Sequence, residues 1–162
     1  MENATETTNE YENKKPYTIE LFNKEDQEEV EKFGLEVSKE MGQVYDTELD
    51  YDWGHIKEVY IDPGGTFYVV KIDNCIIGCA GVKNKDGVVA EFKRDRVGKE
   101  FRGRGIGRGL FEKRLDFVKS KGFKKIILDT NNPIIEHFCK EFGFHETGRK
   151  GNDVFYEKEI VE

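Results

Sequence analysis

The stretch from Val97 to Leu110, Val-Gly-Lys-Glu-Phe-Arg-Gly-Arg-Gly-Ile-Gly-Arg-Gly-Leu, is a glycine- and arginine-rich turn between a β-like run and an amphipathic helical run. Gly103, Gly105, Gly107 and Gly109 allow close backbone approach and φ values that a Cβ would penalise. Consecutive N–H groups can then converge on an anion at the positive end of the following helix. A diphosphate suits such a cradle.

Spacing rejects two common phosphate motifs. G-x-G-x-x-G would need glycine at Arg108 or at Leu110, and a P-loop would need Gly-Lys followed by Ser or Thr, a tripeptide the chain lacks. A flexible Arg/Gly segment that binds RNA is the other reading of such a run. It is set aside because Ile106, Leu110, Phe111, Leu115 and Val118 follow at helical spacing, an apolar stripe for which a disordered tail has no use.

Moving outward, the 162 residues suffice for one domain with a real core. The net charge is −7, but it is unevenly spread: Lys93 to Lys125 carries thirteen Lys/Arg against four Asp/Glu, so this segment is strongly basic and the rest strongly acidic. A basic segment on an acidic body suits a polyanionic cofactor and, elsewhere, a cationic substrate. Cys75, Cys79 and Cys139 are an odd number without metal-like spacing, as are His55, His137 and His145, so no metal is expected. With no apolar run long enough to span a membrane, the expected location is the reducing cytoplasm. Residues 1 to 15, rich in Glu, Asn and Thr, read as a disordered leader to a domain covering 16 to 162.

Periodicity predicts a strand over Tyr17 to Phe22, a helix over Lys24 to Met41, an irregular acidic stretch to Tyr51 and a second short helix over Trp53 to Tyr60. A hairpin follows, Thr66 to Ile72 and Cys75 to Val82 about Asp73-Asn74, then a strand over Val88 to Val97. A helix from about Gly105 to Lys121 ends at Gly122. Phe123 to Asp129 is an apolar strand, Pro133 to Phe142 a helix with Asn132 as N-cap, and Phe144 to Arg149 with Asp153 to Ile160 a closing hairpin. The order β-α-α-β-β-β-α-β-α-β-β implies a single α/β domain, its sheet mixed but mainly antiparallel, with flanking helices and one parallel crossover through the glycine-loop helix.

Arg102-x-x-Gly105-x-Gly107 resembles the Arg/Gln-x-x-Gly-x-Gly/Ala signature of the GNAT superfamily of acetyl-CoA-dependent N-acetyltransferases. Ala90 to Val97 is similar to the family's fourth strand, and Leu128 to Asn132 and Glu141-Phe142-Gly143-Phe144 to its next strand end and last helix. The resemblance covers most of residues 66 to 148 in the right order. It implies a GNAT-like fold in which two central strands splay apart and acetyl-CoA lies in the gap as co-substrate.

The resemblance also implies roles. Arg102, Gly103, Arg104, Gly105, Ile106, Gly107 and Arg108 would hold the diphosphate, chiefly through main-chain N–H groups. The main chain of Asp95, Arg96 and Val97 would face the thioester arm, and Asn132 would either bond that arm or cap its helix. An alkylammonium has a pKa near 10.4, so the acceptor needs a base. Glu91 resembles the glutamate base of the histone-acetylating branch. Its six-residue spacing from Val97 predicts that both side chains share a strand face. Where many members carry a leaving-group tyrosine this chain has Cys139, either an acid or a small buried hydrophobe that leaves protonation to water. Trp53, Tyr51 and Tyr60 either wall the acceptor pocket or belong to the core. The expected partner is an amine, of a small metabolite, amino acid or peptide; nucleic acid and membrane are not expected, and a homodimer is left open. A catalytically weak acyl-CoA-binding sensor is the alternative.

Overall fold

A computed structural model describes residues 15–161 of the chain; all but the last residue of the expected leader lies outside them. Seven strands form one sheet in the order β1-β2-β3-β4-β5-β7-β6: β1 (Thr18–Leu21), β2 (Thr66–Ile72), β3 (Cys75–Asn84), β4 (Val89–Val97), β5 (Lys125–Thr130), β6 (His145–Lys150) and β7 (Asp153–Glu159). The helices are α1 (Gln27–Glu40), α2 (Ile106–Lys121) and α3 (Pro133–Glu141). All pairs are antiparallel except β4 with β5, which α2 connects as the one parallel crossover. The second short helix expected over Trp53 to Tyr60 is instead a 3₁₀ turn, Tyr51–Gly54, followed by a π-helical turn, Lys57–Ile61.

Local chemistry explains the joints. Asp73 (φ 50°) and Asn74 (φ 65°) form the left-handed pair that a two-residue hairpin between β2 and β3 demands. Gly122, also left-handed, ends α2. Gly34 on α1 lets the helix close on the Trp53 indole, since a Cβ there would lie 2.3 Å from the ring.

The core has two sides. α1 and the turns after it pack Val30, Trp53, Ile56 and Tyr60 on Phe67, Val69 and Cys79 of β2 and β3. On the opposite face, α2 and α3 set Phe111, Leu115 and Phe138 over Phe92, Ile126, Leu128 and Tyr156.

β4 binds β5 only through Val89, Ala90 and Glu91, opposite Lys125, Ile126 and Ile127. Beyond that point β4 stays with β3 and β5 with β7, so the two strands part. A β-bulge sets the divergence. Gly81 pairs with Lys93 and Cys79 with Arg96, so β4 carries one residue more than its partner, and Arg94 takes a left-handed φ of 64°. For a non-glycine residue that conformation persists only when its surroundings enforce it.

They do so from both faces. On the α1 side, Arg94 donates to Asp52 through Nε (2.8 Å) and Nη2 (2.6 Å), and to the Leu49 carbonyl (2.8 Å), while its guanidinium lies 4.7 Å from the centre of the Trp53 ring. Burial pushes the Asp52 carboxyl upward, but the hydrogen bonds from Arg94 and Tyr60 and the Arg94 charge outweigh it and hold the group below the usual range. On the α2 side, Arg114 is fully buried and binds both carboxylate oxygens of Asp95, with Nη1 at 3.0 Å from Oδ2. Its guanidinium lies 4.4 Å from the Phe92 ring centre and 5.4 Å from that of Phe111.

Because removing one partner of a buried pair strands the other, Arg114→Ala should lower the unfolding free energy by about 3 kcal/mol in urea titrations. Arg114→Met with Asp95→Leu should recover most of that loss. A single Ala variant as stable as the parent would show that this pair does not hold the bulge.

Candidate active site

The parting of β4 from β5 opens a cleft of about 490 Å³. Its sides are the end of β4 (Asp95, Arg96, Val97), the glycine loop with the first turn of α2, and the start of α3 from Asn131 to Ile135 with Phe138. Val37 and Met41, at the end of α1, close one side.

α2 begins at Ile106 behind Gly105, which is left-handed (φ 84°) and caps the helix with no side chain. The intrahelical bonds start with Gly109 N–H to the Gly105 carbonyl at 3.0 Å, so the N–H groups of Ile106, Gly107 and Arg108 have no partner within the helix. No acidic residue lies in this first turn to neutralise its positive end. A Cβ built on Gly103 or Gly105 would meet nothing within 4 Å. The loop is an open anion cradle.

The arginine side chains are mostly committed elsewhere. Arg102 Nε donates to the Val97 carbonyl (3.1 Å), and Arg96 donates to the Asp95 carbonyl (2.9 Å), the Ser38 hydroxyl (3.3 Å) and Gln43 (3.2 Å). Arg108 forks onto Glu141 of α3 at 2.7 and 2.5 Å and pairs with Glu112 at 3.0 Å. Arg104 does not line the cleft; it donates to the Lys15 carbonyl at 2.6 Å, and its guanidinium lies 5.1 Å from the Tyr17 ring centre. What faces the cleft from this loop is therefore largely main chain.

Asn132 does two things at once. Its side chain accepts from Ile134 N–H at 2.9 Å, capping α3, and the residue also lines the cleft.

Glu91 and Cys139 do not line the cleft. The shared face expected for Glu91 and Val97 is not found. Phe92 packs under α2 with Phe111, and Val97 packs against the cluster that holds Ile106 and Leu110, so both lie on the α2 side although five residues apart. The extra residue of the bulge shifts the alternation, and Glu91, between two residues of that face, points the other way. It is the last residue of β4 paired with β5 and so stands at the vertex of the gap. Lys85 Nζ is 3.6 Å from its carboxylate. Asp129 of β5 is raised above the usual carboxylate range, by burial first and then by the negative charges of Asp153 and Glu91.

Cys139, on the inner face of α3, is wholly buried against the aromatic cluster, and burial pushes its thiol up to about 12. Of the aromatic residues weighed as pocket walls, Trp53 and Tyr60 are core. Arg114 was not among the sequence candidates. Its signal was present, a lone charge within the apolar stripe of Leu110, Phe111, Leu115 and Val118, but nothing local names its partner.

Comparison with known proteins agrees with this architecture. The Acetyltransferase (GNAT) family profile matches residues 17–144. N-acetyltransferase 8B of Homo sapiens is 28% identical over 112 residues, 64% of this chain and 49% of that protein. N-acetylaspartate synthetase of Xenopus tropicalis is 30% identical over 84 residues, 51% of this chain and 31% of that protein. The chain thus spans half or less of the length of these two relatives. Among solved structures, a GNAT-family acetyltransferase from Staphylococcus aureus Mu50 superposes with a TM-score of 0.79 at 24% identity, covering 90% of this chain and 100% of the other. The PaiA N-acetyltransferase of Thermoplasma acidophilum, solved in complex with coenzyme A, superposes with a TM-score of 0.67 at 20% identity, covering 90% and 99%.

Burial makes a prediction about the thiols. Cys75 is exposed, whereas Cys79 and Cys139 are buried and both pushed up to about 12. An aromatic disulfide reagent at pH 8 should therefore modify Cys75 rapidly and the other two only on unfolding. Mass-spectrometric mapping that finds Cys139 labelled as fast as Cys75 would place its thiol at an open surface.

Proposed function

The chain belongs to the GNAT acetyltransferase family, and on that premise we propose that it transfers an acetyl group from acetyl-CoA to a primary amine of a small metabolite, amino acid or peptide, by direct attack on the thioester. One observation carries this reading: the gap between β4 and β5 has unclaimed N–H groups along its cofactor side and a carboxylate, Glu91, at its vertex on the opposite face. Two reactants can meet there from two sides of one sheet.

Acetyl-CoA is the family's co-substrate, and when bound it supplies an activated acetyl thioester. The residues present suit it. Gly103, Gly105, Ile106, Gly107 and Arg108 would hold the diphosphate through main-chain N–H groups, with Arg102 adding charge at the edge. The fit rests on the uncapped first turn of α2 and on the open space beside Gly105. Arg104, tied to Lys15 and Tyr17, would act by holding the loop in place. Asp95, Arg96 and Val97 form the strand edge that β5 abandons, and a Val97 N–H on that edge would polarise the thioester carbonyl. Asn132 would contribute its amide N–H₂, its Oδ1 being used by the cap.

Glu91 is proposed as the base that takes the proton from the alkylammonium. Lys85 and the nearby Asp129 are its charged neighbours. Among the described residues no tyrosine lines the cleft, and Cys139 is a buried packing residue, so water would protonate the leaving thiolate. The missing tyrosine also keeps the second reading, a catalytically weak acyl-CoA sensor, which would bind acetyl-CoA without releasing thiol in the presence of any amine.

Gly107→Asp tests the cradle cleanly. Gly107 has no left-handed φ, a Cβ there would make only an ordinary contact 3.8 Å from Phe138, and an acidic residue in a first helical turn is favourable for the fold. The variant should melt at or above the parent temperature without ligand, yet lose the stabilisation that acetyl-CoA gives the parent, about 2.7 kcal/mol at a hundredfold excess over Kd. An undiminished thermal shift would refute the cradle.

For the base, Glu91→Gln should lower kcat/KM roughly a hundredfold at neutral pH. The deficit should shrink as pH rises toward the pKa of the amine, because the free base then becomes abundant without help. A pH-rate profile identical to the parent's would remove Glu91 from the chemistry.

A further inference from the structure

A second, smaller cavity of about 160 Å³ lies between α1 and the turn at Tyr51–Gly54. That is about ten times the roughly 15 Å³ a single water needs. Its walls include Leu35, Tyr45, Tyr51 and His55, with Glu31 and Asp50 as the charged groups; among the described residues no lysine or arginine lines it. Two of the aromatic walls hold one another, while Tyr45 and Tyr51 are 60% and 50% exposed. Tyr51 and His55 stack face to face with ring centres 3.8 Å apart and planes within 7°, and His55 Nδ1 is held 2.8 Å from the Tyr51 carbonyl.

The two carboxylates differ. Asp50 is spoken for: it accepts from Asp46 N–H at 2.8 Å and pairs with Arg94 at 3.2 Å. The carboxylate of Glu31, an exposed residue of α1, has no hydrogen bond or ion pair among the described residues, and its Oε2 lies 2.2 Å from the position a Cβ on Gly54 would take. An exposed, unpaired carboxylate beside tyrosine rings, with the neighbouring Arg94 guanidinium already committed to Asp50 and Asp52, is the chemistry that recognises an organic ammonium ion: charge to the carboxylate, ring faces to the cation and its methylenes.

We propose that this cavity is a binding site for an alkylammonium group, with Glu31 as its counter-ion and Tyr45, Tyr51 and His55 as its walls. Inorganic cations gain nothing from the apolar walls, and neutral alcohols leave Glu31 unpaired. The site does not depend on the proposed acetyl transfer, since its first readout is binding. A free alkylammonium ion and the far end of a diamine acceptor share this chemistry.

Isothermal titration with n-butylammonium chloride, up to about 50 mM, tests the site on the full chain. The parent should bind saturably, n-butanol at least tenfold more weakly, and Glu31→Gln should bind n-butylammonium at least tenfold more weakly than the parent. A cooperative melt by circular dichroism at the parent's temperature shows that Glu31→Gln is folded. No saturable heat with the parent, or equal affinity in Glu31→Gln, overturns the proposal. The source is then read from acetylation kinetics. A higher KM of Glu31→Gln for 1,6-diaminohexane but not for hexylamine assigns the pocket to the acceptor's far end, and unchanged KM for both assigns it to a free ion.

Discussion

The buried pair of Arg114 and Asp95 is the constraint on which the cleft depends. A guanidinium with no solvent contact is tolerable only if its donors are used, and Arg114 uses them on Asp95, on the Leu110 carbonyl (3.3 Å) and on the Gly81 carbonyl (3.4 Å), between two phenylalanine rings. Those partners lie on α2, β3 and β4. One side chain thus ties the helix behind the glycine loop to the bulge that turns β4 away from β5. Arg94 and Asp52 hold the same bulge from the opposite face. The strained φ of Arg94 is enforced from both layers, and the gap is a built feature of the sheet.

This arrangement separates two tasks that would otherwise compete. Anion binding needs free N–H groups and a positive helix end; basic side chains in the same place would add charge but also flexibility. Here Arg96, Arg102, Arg104 and Arg108 are each bonded to protein atoms, so they stiffen the strand end and the loop, leaving the first turn of α2 free. The basic character of the segment is largely structural.

Across the sheet from the glycine loop, carboxylates stand among Lys85, Arg94 and Arg96. Glu91 stands at the vertex, Asp129 is held protonated to higher pH than usual, and Glu31 faces its own cavity beyond α1. On the proposed function, these carboxylates would favour a cationic amine on one side of the sheet while the cradle favours a polyphosphate on the other.

Much of this was legible in the chain. The order of elements, the glycine turn before α2, Gly122 after it, the Asp73-Asn74 hairpin and the Asn132 cap are local matters, and periodicity or a single turn residue encodes each. Four features were not legible: the face of Glu91, the anchors of the arginines, the choice between the two readings of Cys139 and the partner of Arg114. All four depend on cross-strand or cross-helix neighbours far away in sequence. Strand alternation predicts a shared face for Glu91 and Val97 only while pairing stays in step, and one residue inserted opposite β3 reverses it. Local sequence determined which elements form. Register and packing between distant elements decided which way their side chains point, because that is where burial and pairing energies are set.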